Sequence, residues 1–142
     1  MNDQNKTGHF QYDDRQFEEQ FRNLKLNPEL FDHEAHLRLA WIHITTYGIE
    51  KALDTISSQL KAYVVHVGAA DKYNKTVTMA AIKAVYHFIL KSTSSTFQDF
   101  MIAFPRLKDN FIELMGYHYS YDIFNSEKAK KNYLEPDLLP FD

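Results

Sequence analysis

The chain has 142 residues, 44% of them apolar and 25% charged, ordinary values for a soluble globular domain with one core. A net charge of −3 and a pI near 6.1 leave no dominant basic field, which argues against a nucleic-acid partner bound by phosphate neutralisation. With no cysteine, disulfides, thiolate nucleophiles and zinc-thiolate sites are excluded.

Residues 1–12 are polar and read as a flexible N-terminal arm, with residues 13–142 forming one helical domain. The opening MNDQNKTGHFQYDD has no apolar stretch of signal-peptide type. No window reaches the roughly 18 apolar residues that a membrane span needs, so the expectation is a cytoplasmic protein with no membrane partner. Four Gly and four Pro fall between periodic segments, the pattern of helices joined by short connections.

A first helix is expected over about 14–26, with Phe17, Phe21 and Leu24 on one stripe. Asn27-Pro28 then reads as a stop and a new start, Pro28 being tolerated in a first turn. Asp32 is a candidate N-cap for a main helix that begins at His33 and ends at Gly48. A third helix spans about 49–67, closed by Gly68. AADKYNK forms a connection, and a fourth helix runs from Lys75 or Thr76 to Lys91. The polar run STSST ends it, with Ser95 or Thr96 capping a short helix to Phe104 before Pro105. A further helix is expected over about 107–117, then short ones near 121–124 and 126–133. The closing PDLLPFD is extended and either packs by its leucines or frays. Lys128, Lys130 and Lys131 read as a solvated helix face. No alternating strand pattern of useful length occurs. The fold class is therefore all-α: a bundle of four to five main helices plus short C-terminal helices.

The stretch FDHEAHLRLAW (31–41) carries the best clue to a site. His33 and His36 stand three residues apart, on the side expected to hold Leu37, Ala40, Trp41 and Ile44. At that spacing two imidazoles can converge on one ligand. On an apolar face they need either buried partners or a task. In the first turn of a helix the dipole also disfavours a proton on His33, which suits a ligand or a general base. The spacing is not HExxH, and zinc needs at least three protein ligands. His43 lies too far along the axis to join His33 on one ion, while His66 and His87 sit on other helices. Glu34 is expected to point outward.

A second cluster, KYNKTVT (72–78), places Tyr73, Asn74, Thr76 and Thr78 at a helix start, where free N–H groups can hold an anion or a carbonyl oxygen. Simple capping by Asn74 or Thr76 is the plain alternative. A third, GYHYSYDIF (116–124), brings Tyr119 and Ser120 into a turn whose rings cover the core or reach the histidines.

Taken together these elements resemble a family of small uncharacterised bacterial all-helical proteins. The residues carrying the resemblance are Phe31, His33, His36, Leu37, Ala40 and Trp41; Lys72, Tyr73, Thr76 and Thr78; Tyr119 and Ser120; and Pro136, Asp137, Leu138 and Pro140. The resemblance spans roughly 27–141 and brings no activity with it. It implies a histidine after the tyrosine of the second motif, where this chain has Asn74.

The leading expectation is an interior polar pocket that binds a small organic molecule, with a histidine available as general base. His33 and His36 form one wall, Asn74, Thr76 and Thr78 another, and Trp41, Tyr73 and Tyr119 the aromatic lining. Two alternatives stay open. One is a metal-dependent enzyme or carrier holding a divalent transition metal on His33, His36 and a third histidine. The other is a non-enzymatic protein-interaction module.

Overall fold

In a computed structural model, which describes residues 7–141, every regular element is helical. Five longer helices dominate: α1 (Asp14–Arg22), α2 (His33–Tyr47), α3 (Ile49–His66), α4 (Lys75–Ile89) and α5 (Phe97–Ala103). Three short ones follow: α6 (Arg106–Asp109), α7 (Phe111–Met115) and α8 (Glu127–Lys131).

The longer helices start on the side chains that the sequence offers. Asp32, Asn74 and Thr96 each accept a hydrogen bond from the backbone N–H three residues on, at 2.8, 2.9 and 3.1 Å. At α1 the cap is a full capping box, with Asp13 and Gln16 bonded reciprocally. This helix stops four residues earlier than its stripe implies. Lys25 N–H bonds to Gln20 O at 2.8 Å and Leu24 N–H to Phe21 O at 3.1 Å, a Schellman ending. Leu24 therefore takes the left-handed conformation, at φ 61°, where glycine is usual. Leu24 still packs partly buried against the core.

Helix α2 is the centre of the bundle and packs on α1, α3, α4, α5 and α6. Every residue from Leu37 to Ile44 is buried. A helix apolar on all sides has no solvent face to present, so neighbours must surround it. Trp41 meets Phe97 of α5, while Ala52, Ile56 and Leu60 of α3 and Ala80, Ile82 and Val85 of α4 complete the same cluster.

One charged residue sits inside this buried run. Arg38 is 3% exposed and its guanidinium is fully occupied. It donates to His9 O at 2.8 Å, to Tyr12 O at 2.9 Å and to Asp14 Oδ1 at 2.9 Å, between the rings of Phe10 and Phe17. This corrects the expected arm: residues 1–6 lie outside the described residues, but 7–12 are docked. Gly8–Gln11 form a 3-10 turn, and His9, 2% exposed, bonds to Glu34 at 2.9 Å. Glu34 correspondingly turns toward His9 and Lys108 rather than outward.

The C-terminal third departs most from expectation. Asn110, at φ −135° and ψ 39°, splits the expected 107–117 helix into α6 and α7. No helix forms at 121–124, where Asp122 accepts from Phe124 N–H and Asn125 Nδ2 in a side-chain turn. The tail packs by Phe141, stacked on His118 at 4.1 Å, while Leu138 and Leu139 are exposed.

Replacing Arg38 with Met removes a buried cation but leaves half-exposed Asp14 solvated. The expected cost is on the order of 3 kcal/mol, read from urea midpoints, with proteolysis becoming faster in 7–13. Arg38→Lys keeps the charge but not the fork, and should recover only a minor part.

Candidate functional site

The two histidines of α2 have different surroundings. His33, in the first turn, donates from Nε2 to the carbonyl of Leu107 at 2.9 Å, and its ring lies 4.8 Å from that of Phe111. His36, one turn on, stacks on Phe31 with ring centroids 3.9 Å apart. Its ring is surrounded by neighbouring residues but remains accessible, on the wall of a cavity. No hydrogen bond to its ring nitrogens occurs among the described residues. Loss of hydration pushes its pKa from 6.5 down to about 4, with the nearby His33 adding to the fall and Asp32 opposing it. At neutral pH the ring is uncharged and offers one donor and one acceptor to the cavity.

The cavity holds about 460 Å³ between α2, α3 and the start of α4. Its surface is mainly apolar, from Leu39, Ala40, Ile56, Leu60, Val64 and Ile82. Behind His36, Phe31 packs edge-on to Tyr63 at 5.2 Å, and Tyr63 anchors its hydroxyl on Leu26 O at 2.8 Å. Of the residues expected to form the pocket, His33, His36, Tyr73, Asn74 and Thr78 line it. Burial raises the phenol of Tyr73, which stays neutral.

Three expected members do not line it. Trp41 faces Phe97: five residues beyond His36, it points about 140° away around the helix. Thr76, fully buried, donates to Asn132 O at 2.6 Å and accepts from Leu134 N–H at 3.0 Å, so it clasps the C-terminal segment. Tyr119 donates to Leu134 O at 2.7 Å, and burial raises its phenol strongly. Asn74 lines the cavity but is committed elsewhere, capping Val77 N–H and donating to Ile123 O at 2.9 Å. Ser120 bonds to Asp137 through both its backbone N–H and its hydroxyl, away from the cavity.

The metal alternative fares worse. His33 spends Nε2 on Leu107, and His66 and His87 do not line the cavity. Among the described residues no group of three or more His, Asp or Glu side chains has the spacing to hold an ion. Sequence reasoning missed Phe111 and the aliphatic residues of α3, because their helical period signals core whether or not a void lies beneath. Comparison with protein families, curated proteins and solved structures returns no match.

A histidine depressed to about 4 in the folded chain, against 6.5, takes up its proton first in the unfolded state. Its contribution is thus fully present above pH 6.5 and lost as the pH falls towards 4. In His36→Leu the decline of the urea midpoint across this window should be shallower, the remainder coming from His9 and His43, both lowered by burial. An unaltered slope would contradict a neutral His36. Thr76→Val should cost about 2 kcal/mol, because it leaves Leu134 N–H and Asn132 O unpaired, and should speed amide exchange in 129–134.

Proposed function

We propose that this protein binds a small, mostly apolar organic molecule in the cavity between α2, α3 and α4, with His36 making the polar contact. The observation that carries this reading is the accessible imidazole of His36, with no protein partner among the described residues, on the wall of a mainly apolar space of about 460 Å³. His36 differs from the two core histidines: His9 is bonded to Glu34 and His43 is sealed in the core, whereas the His36 ring opens onto the cavity, where a ligand can reach it. The volume lies in the range of small-molecule sites, and the preponderance of aliphatic lining disfavours a bare charge. With a pKa near 4, His36 is a weak base at neutral pH, so hydrogen bonding suits it better than proton abstraction. The cavity beside it also supports this reading over an interaction module, which would need no such space inside the bundle.

The test uses 1-naphthol, an apolar probe with one hydroxyl, in a fluorescence titration. Saturable binding is expected. Ala40→Phe, which fills the cavity from α2, should weaken it by roughly tenfold or more without lowering Tm. His36→Leu should weaken it by about 1 kcal/mol, one hydrogen bond. Unchanged affinity in both folded variants would refute the proposal.

A further inference from the structure

The cavity has a neighbour. A second space of about 470 Å³ lies beyond His33 and Phe111, and these are the two residues that line both. The rings meet at 4.8 Å, and each is held from behind. His33 is tied to Leu107 O at 2.9 Å, and Phe124 lies edge-on to Phe111 at 6.2 Å. The inner space is mainly apolar, with Ile56, Leu60, Val64 and Val67 of α3 along one side and Asp32 and Lys72 its charged lining residues. The outer one carries Lys108, Asp109, Asn110 and Glu113. The ring pair thus divides a mainly apolar space from a more polar one.

We infer that His33 and Phe111 form a partition between the two adjoining spaces that sets the length of the bound molecule. The ligand class is an elongated aliphatic molecule with one hydrogen-bonding group, which rests on the binding reading above. The row Ile56, Leu60, Val64 and Val67 along α3 suits an extended hydrocarbon body, and the His36 imidazole on the cavity wall serves one polar group. The far end of the body abuts the partition. A longer chain would have to displace Phe111 from its packing on Phe124 and emerge among charged side chains, so affinity should rise with chain length and then fall.

Phe111 is the residue to vary, since His33 also anchors Leu107. The probes are straight-chain primary alcohols from butanol to tetradecanol, measured by calorimetry and by displacement of 1-naphthol, with Tm and circular dichroism as checks on folding. The unaltered protein should show an optimum length. Phe111→Leu and Phe111→Ala should shift it to longer alcohols by joining the two spaces. Phe111→Trp should shift it to shorter ones, and because this variant removes no packing it remains informative if Phe111→Ala fails to fold. An optimum that stays fixed in folded Leu and Trp variants would overturn the partition while leaving the binding reading intact. No binding of any alcohol by the unaltered protein, with no binding of 1-naphthol, would overturn both.

Discussion

The burial of α2 around its whole circumference is the constraint on which the rest depends. From Leu37 to Ile44 no residue reaches solvent, so other helices must pack on every side of this one. The wrapping is complete in the middle and incomplete at the start. At that end the chain enters through the 3-10 turn Pro28–Leu30 and Phe31, and the two histidines precede the apolar run. A void beside the first turns of α2 is what remains when the long helices α3 and α4 converge on its middle. Its place is therefore set by the central helix, and its chemistry by the few polar residues at that helix's N-terminal end.

Both ends of the described chain are held by buried polar side chains that reach out of this framework. Arg38 of α2 collects the N-terminal segment through two carbonyls and a carboxylate, and Thr76 of α4 collects the C-terminal segment through one N–H and one carbonyl. Apolar contact alone is indifferent to register, whereas a buried donor or acceptor without its partner costs about 1–3 kcal/mol. The two clasps thus fix which backbone atoms of each segment dock, beyond the fact that they dock.

The long helices were legible because their signals are local. Asp32 and Gly48 bracket α2 in the sequence as they do in the fold, and α3 and α4 begin and end within about two residues of their expected bounds. Arg38 was not legible. A lone cation in a helix reads as a side chain reaching for water, and only the docking of residues 9–14 makes it a core group. Thr76 and Asn74 show the reverse failure. A hydroxyl or amide at a helix start looks the same in sequence whether it awaits a ligand or a backbone segment more than forty residues away, and here the segment claims it. The partition of 107–117 at Asn110 and the anchoring of the tail by Phe141 likewise depend on partners distant in the chain. His36 lines the cavity, whereas Trp41 was grouped with it by apolar character where helical geometry separates them.

One detail of the N-terminal clasp has a directional consequence. The guanidinium of Arg38 can only donate, so at 3.3 Å it requires a lone pair on Nδ1 of His9. The ring proton must then sit on Nε2, where it meets Glu34, which in turn faces Lys108 at 3.2 Å. From Asp14 to Lys108 the donors and acceptors admit one ordering. A second proton on His9 would set two donors face to face at Nδ1. Acid therefore strains this clasp: a proton on Nδ1 removes the acceptor that Arg38 meets, and the segment that covers the side of α2 is one of the places where acid weakens the fold.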